Sequence, residues 1–374
     1  MRRLSCRPLH DTGRSHGPAF FKIALAALLL IGLLAGCSVP AASTAAPAPS
    51  PRPTATTKPA VAVPNAVVPT AAPAATPSVP TAVPTASQPA ASTAVAGFPL
   101  TVTDDAGRTV TFDRPPQRII SLSPGYTETL YALGLGDKVV MTDTYSDYPA
   151  QNKPKAKLNT FPKPNVEEIV SLKPDLVVSL VEGNDFIQQM DARQIKVLKL
   201  FPTTFDGTLT EIELLGRVTG TETRATQITS NMRERAAAVV ARTRNAPHPT
   251  VLYELDASDP TKPFVAGAGG YFGDLVPLAG GKNVFDDVKQ PSAQVSAEQV
   301  IARDPQIILL ADADAPYNAQ TPAMVKARQG WSQIAAVRGN RVYPVDDNLL
   351  TRPGPRLIDG LEQMAKLIHP ELFK

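Results

Sequence analysis

The chain carries two cysteines in 374 residues, Cys6 and Cys37. No disulfide framework can staple it, so its stability must come from packing. It has four histidines. His248 and His369 stand far apart beside prolines, and no cluster of His, Cys and carboxylates has zinc spacing, which argues against direct capture of a bare metal ion. Long apolar runs are also missing. Ile23–Leu34 is 12 residues, too short to span a bilayer. Basic runs are absent beyond the first 36 residues. The formal charge of +3 comes from that segment, which holds five Lys/Arg and one Asp; the remainder has 32 basic and 33 acidic residues, a net −1. That balance excludes nucleic acid as an expected partner. No G-x-S-x-G elbow, phosphate-binding P-loop or paired His/Cys site occurs, so the expected role is not enzymatic.

What is present begins with a secretory signal. Arg2, Arg3, Arg7, Arg14 and Lys22 precede the apolar run, and Leu34-Ala35-Gly36-Cys37 has the form of a lipobox. Residues 1–36 are expected to leave as a lipoprotein signal peptide, with Cys37 taking the lipid. Residues 37–96 are almost all Ala, Pro, Thr, Ser and Val. They read as a disordered, Pro-rich tether that favours extended segments. The chain is then expected in the cell envelope, on the extracytoplasmic face of a membrane to which lipid holds it.

From residue 97 the sequence alternates between strand and helix signals. Phe98–Phe112 reads as a hairpin turning at Asp105-Ala106-Gly107. Arg118–Leu122, Lys138–Met141, Leu176–Leu180 and Lys196–Leu200 read as buried strands. Helices are expected from Pro124 to Leu133 and over Asp185–Gln194, and Asp143–Pro164 reads as a loop carrying Tyr145, Tyr148 and Phe161. Thr208–Val218 is a helix, and Thr221 caps a long one running from Glu222 to about Arg244, with Ile228, Met232, Ala236, Val239 and Val240 as its apolar stripe. That helix either crosses between lobes or lies on the surface of the first. Strands follow at Thr250–Leu255, Phe264–Gly267 and Arg341–Val345, and helices at Gly273–Leu278, Thr321–Ile334 and Arg356–Ile368. Such alternation predicts mostly parallel sheets covered by helices on both faces.

One stretch occurs twice. Asn165–Leu180 starts with a capping residue, has Glu168 three positions on, stops at Pro174 and runs into the apolar Leu176–Leu180. Ser296–Leu310 repeats this, with Gln299 closing the box and Pro305 as the stop. In both copies an extra glutamate, Glu167 or Glu298, lies one residue before the box-closing position. The duplication predicts two similar α/β lobes, residues 97–206 and 247–374, on either side of a helical linker, 207–246.

Arg118–Leu135 (RIISLSPGYTETLYALGL) resembles the opening of the binding proteins of ABC importers for ferric siderophores, haem and cobalamin. Tyr145–Pro149 (YSDYP), Asn165–Val178, Gly280–Phe285 (GGKNVF), Val295–Ile301 and Arg352–Arg356 (RPGPR) are similar to the cobalamin-binding member in particular. The resemblance runs from about Pro116 to the C-terminus. It implies two Rossmann-like lobes joined by one long rigid helix, the class III periplasmic binding protein fold, with the ligand between the lobes. It implies that Glu167 and Glu298 dock onto arginines of the permease of an ABC permease–ATPase complex; the plain alternative is a favourable charge in a helix first turn. It implies that Tyr145 and Phe161 flank a flat ring and that Arg352 makes a polar contact, unless Arg352 only pins a proline-rich loop. Leu180 and Ser292 stand where the cobalamin-binding member has tryptophans, and Asn348 where it has an acid. The ligand expected is a cobalt corrinoid, then a ferric siderophore, then haem, with no cofactor of the protein's own. A monomer is expected. Gly267–Gly273 (GAGGYFG) is either a ligand-facing loop on which Tyr271 stacks or a plain turn; the spacing leaves both open.

Overall fold

In a computed structural model, residues 96–180, 183–314 and 319–374 are described. The signal, Cys37 and the tether up to residue 95 lie outside them. Every described element falls within Ser87–Lys374, which forms one compact unit. All three hydrophobic clusters lie inside it, so this part carries its own core.

The chain enters through a hairpin of β1 (Leu100–Thr103) and β2 (Thr109–Phe112). The Asp104 carboxylate accepts from the amides of Ala106 and Arg108 at 3.1 and 2.9 Å and closes the turn. The first lobe is a sheet of β3 (Ile119–Ser121), β4 (Val139–Asp143), β5 (Ala156–Leu158), β6 (Leu176–Ser179) and β7 (Val197–Lys199). Its order is β5-β4-β3-β6-β7, and all pairs are parallel. Alternate side chains serve opposite faces. Ile119, Leu176 and Val178 join one cluster, while Ile120, Val177 and Met141 join another. Burial on both faces is why these strands read as continuous apolar runs. The order reverses direction at β3, which sets a crevice beyond the C-terminal ends of the strands.

The second lobe comprises β8 (Thr250–Asp256), β9 (Phe264–Ala266), β10 (Lys282–Asn283), β11 (Ser292–Gln294), β12 (Ile307–Leu310) and β13 (Val342–Pro344). The order is β11-β9-β8-β12-β13, with β10 pairing to β8. The β8, β12 and β13 strands are parallel, but β9 and β11 pair antiparallel along one edge. The duplicated stretch is visible in three dimensions. Asn165 caps the helix Val166–Ser171 by accepting from the amides of Glu167 and Glu168. Ser296 and Gln299 form a reciprocal box on Ala297–Arg303. Lys173 and Asp304, each just before the stopping proline, both take left-handed backbone at φ 47° and 41°.

The helix Glu222–Thr243 binds both lobes. At about 1.5 Å per residue its 22 residues span roughly 33 Å. Arg224 donates to the Ala132 carbonyl of the first lobe at 3.1 Å. Arg235 grips Asp359 and Glu362 of the second lobe's closing helix, Leu357–Ile368, at 2.6 and 2.9 Å. Its buried stripe is Ala225, Thr229, Met232, Ala236 and Val239. Met232, Ala236 and Val239 of the expected stripe are buried and Ile228 packs against the core, but Val240 is exposed. Against it lies the helix Phe205–Thr219. At Gly216 a Cβ would come within 2.4 Å of the Ala225 Cβ, so the two helices meet where no side chain intervenes.

Three expectations need correction. Thr321–Ile334 is not one helix. It stops at Ala327, Arg328 turns extended, and Gly330 is left-handed at φ 78° before a short turn at Trp331–Gln333. The break lets Arg328 reach the fully buried Glu254 at 2.6 and 2.8 Å and stack on Trp331. The expected loop 143–164 contains β5, which the sequence hides because only Leu158 of its three residues is buried. The edge strand β11 likewise has no apolar run to announce it.

Gly216→Ala is expected to cost about 1–3 kcal/mol by overpacking the helix pair. Urea unfolding of the single variant and of Gly216→Ala with Ala225→Gly checks this. The second change should recover part of the loss, and additive losses would show that the contact is not the cause.

Candidate ligand-binding cleft

Exposed aromatic side chains gather at the C-terminal ends of the first lobe's strands. Tyr145 follows β4 and is 59% exposed; Phe161 follows β5 at 70%; Phe201 follows β7 at 43%. Leu180 directly follows β6 and is half-buried. Exposed large rings on one rim of an otherwise well-packed sheet mark a surface built to be covered.

The turn bearing Tyr145 is anchored from below. Ser146 is buried and hydrogen-bonds the Asp143 carboxylate and the Thr127 hydroxyl. The amide of Asn152 donates to the Ser146 carbonyl at 2.7 Å, and the Lys157 ammonium donates to the same atom. Burial raises the Asp143 pKa, while the Ser146 hydrogen bond opposes the shift. With Ser146 pinned inward, its neighbours Tyr145 and Asp147 are left outward.

Asp147 meets the second lobe. Arg352 donates to it at 2.6 Å and lies 3.4 Å from Glu128, while its other terminal nitrogen is held by Asn348. Arg356 makes a two-pronged bond to Glu128 at 2.8 and 2.6 Å and lies 4.0 Å over the Tyr148 ring. Glu128 belongs to the helix Pro124–Ala132 of the first lobe. The backbone closes the same joint: a Cβ on Gly125 would sit 2.4 Å from the Pro353 oxygen, and one on Gly354 would sit 2.7 Å from the Gly125 oxygen. A pocket of about 550 Å³ opens beside the cluster between Glu128, Tyr131, Tyr148 and Arg356; its walls do not include Tyr145, Phe161, Leu180 or Phe201.

The structure thus sets Tyr145 and Phe161 on one rim and brings Arg352 against that rim's loop as a lobe-to-lobe ion pair. Tyr271 is placed differently from the stacking role. Its ring is buried in the core and its hydroxyl donates to the Thr351 carbonyl. The surrounding glycines serve close packing: a Cβ at Gly267, Gly269 or Gly273 would lie 1.9–2.2 Å from a backbone oxygen. Ser292 is exposed on the edge strand β11. Glu167 is exposed and pairs with Arg193 at 2.9 Å. Glu298 is exposed at its helix start, where its own amide and Ser296 lower its pKa. Cys37 lies outside the described residues. Among the described residues no group of three or more His, Cys, Asp or Glu is placed to hold a metal ion, and no helix is long and apolar enough to cross a membrane.

Sequence reasoning missed Phe201, Asp147 and Glu128. The signal for Glu128 was present: a lone acid in a helix of otherwise uncharged residues, in a chain with two arginines in RPGPR. Phe201 depends on a buried support. Its amide donates to Asp105 at 2.6 Å, and Asp105 neighbours Glu211, which accepts from the Tyr126 hydroxyl at 2.7 Å. Burial first, then Asp105, push the Glu211 carboxyl up to about 9. It is therefore protonated at neutral pH, and two adjacent carboxylates do not repel under the Phe201 turn.

A family model described as periplasmic binding protein matches residues 119–349. The chain belongs to the periplasmic binding protein family. It is 34% identical over 284 residues to an uncharacterized ABC transporter substrate-binding lipoprotein, YvrC, of Bacillus subtilis, covering 74% of this chain and 88% of that one. It is 32% identical over 254 residues to a vitamin B12-binding protein of Vibrio cholerae, covering 67% and 88%. The crystal structure of the periplasmic vitamin B12-binding protein BtuF of Vibrio cholerae aligns with a TM-score of 0.60 at 28% identity, over 70% of this chain and 99% of that one. The alignment with BtuF extends across the two-lobed α/β architecture described above.

The Glu211 carboxyl sets a pH dependence. Its folded pKa is raised, so its contribution is fully present below the ordinary value of 4.5 and is lost as pH rises through about 9. Between those values each pH unit removes at most about 1.4 kcal/mol. The urea midpoint of the wild type should fall between pH 6 and pH 9 more than that of Glu211→Gln. Parallel pH profiles would show that Glu211 ionises normally.

Proposed function

We propose that this periplasmic binding protein is the lipid-anchored receptor of an ABC importer, and that it captures a flat metal chelate, a cobalt corrinoid first, in the cleft between its lobes. The observation that carries the reading is the exposed set Tyr145, Phe161 and Phe201 at the strand ends of one lobe, with Arg352 of the other lobe reaching the loop that bears Tyr145. Rings left in water at strand ends suit stacking on a macrocycle, and a guanidinium suits its peripheral oxygens. The likeness to vitamin B12-binding proteins supports the corrinoid over other chelates. The lipobox at Cys37 and the likeness to a substrate-binding lipoprotein support the anchor. Glu167 and Glu298, at matching positions of the two lobes, are the proposed contacts for the permease. The ligand is cargo and the role is delivery, with no chemistry done on it.

Titration of the Ser87–Lys374 domain with cyanocobalamin tests the ligand. The expected result is saturable one-to-one binding near or below micromolar, weakened about 5–30-fold by Phe161→Ala, as burying one ring is worth roughly 1–2 kcal/mol. A folded domain that ignores cyanocobalamin but binds a ferric hydroxamate or haem would move the cargo to that chelate. Docking is tested separately by uptake in cells. Glu167→Ala with Glu298→Ala should abolish uptake and leave the titration unchanged, and normal uptake would remove both glutamates from the interface.

A further inference from the structure

Four charges meet where the lobes touch: Glu128 and Asp147 from the first lobe, Arg352 and Arg356 from the second. They cancel, but they differ in how easily each can leave. The Glu128 side chain is 3% exposed, and both its oxygens are taken by Arg356. Removing one partner of such a buried pair strands the other in a poorly solvated site, which makes this tie hard to break. Asp147 is 65% exposed and sits on a surface turn. Returning it to water costs little, as for other exposed pairs. Arg352 itself is 13% exposed and is held to its own lobe by Asn348. It is therefore a fixed cation whose outermost partner is the most exposed acid of the cluster.

We propose that Asp147 is a displaceable stand-in for an acceptor oxygen of the cargo. The incoming ligand takes Arg352 from Asp147, so a direct tie between the lobes becomes a tie through the ligand. Glu128 and Arg356, reinforced by the Gly125–Pro353 contact, stay engaged as the fulcrum. Because a guanidinium only donates, the group that replaces Asp147 is a carboxamide, carboxylate or phosphate oxygen on the periphery of the cargo. Tyr145, two residues earlier in the same turn, makes ring stacking and release of Asp147 parts of one event. This inference rests on the reading that Arg352 touches the cargo, but the Asp147 tie makes a claim about the empty protein as well.

The Ser87–Lys374 domain has no cysteine, so Gln188→Cys and Gln329→Cys, one exposed site per lobe, can carry spin labels for distance measurement. Without ligand, Asp147→Ala should broaden the inter-lobe distance distribution with little change in Tm. Glu128→Gln should broaden it further and lower Tm. With cyanocobalamin as probe, Asp147→Ala should bind up to about fivefold tighter, because the internal competitor is gone. Arg352→Ala should bind at least about tenfold weaker, and the double variant should match Arg352→Ala, since the two residues act on each other. Unchanged distances in Asp147→Ala, weaker binding by it, or a gain that persists without Arg352 would overturn the proposal. If the wild type does not bind cyanocobalamin, the corrinoid reading fails while the distances still judge the tie.

Discussion

A buried carboxylate shared by two guanidinium groups is the constraint on which the rest depends. Glu128 projects from the first helix of one lobe into the RPGPR segment of the other and holds Arg356 with both oxygens. An ion pair this deep adds little net stability, because desolvation offsets the attraction, but breaking it is costly. Its effect is geometric. It joins the first helix of one lobe to the RPGPR segment of the other, and Gly125 and Gly354 let the backbones approach closely enough for the charges to meet.

The long helix makes the complementary restraint. Its grip on Ala132 at one end and on Asp359 and Glu362 further along ties both lobes to one helix. The lobes are thus joined along a helix on one side and at a charged joint on another. The aromatic rim at Tyr145, Phe161 and Phe201 lies at the strand ends, where the reversal of strand order leaves a crevice. Ser146 beneath Tyr145, and Asp105 with Glu211 beneath Phe201, hold the rim turns in place without filling them.

Much of this architecture was legible in the sequence because it is local. The capping residues, the stopping prolines and the apolar runs of the duplicated stretch are short-range signals, and they placed both repeat helices and their strands. Tyr145 and Phe161 were readable by likeness to a family. The elements that escaped are those set by distant contacts. The strands β5 and β11 lack buried runs, and the helix at Pro322 breaks because Arg328 must reach Glu254 across the lobe. The Tyr271 loop stayed open between a ligand-facing role and a plain turn because nothing nearby in sequence announces the Thr351 carbonyl that holds the ring. Glu128 stood out as a lone acid, but its contact with Arg352, and that of Asp147, joins partners more than two hundred residues apart and leaves no local signal.

The most direct test of the account is a crystal structure of the Ser87–Lys374 domain grown with cyanocobalamin. The account predicts a corrin ring lying against Tyr145, Phe161 and Phe201, with a peripheral oxygen on Arg352 and the Glu128–Arg356 bonds intact. A ligand seated instead in the pocket between Tyr131 and Tyr148, with the aromatic rim still bare, would contradict it.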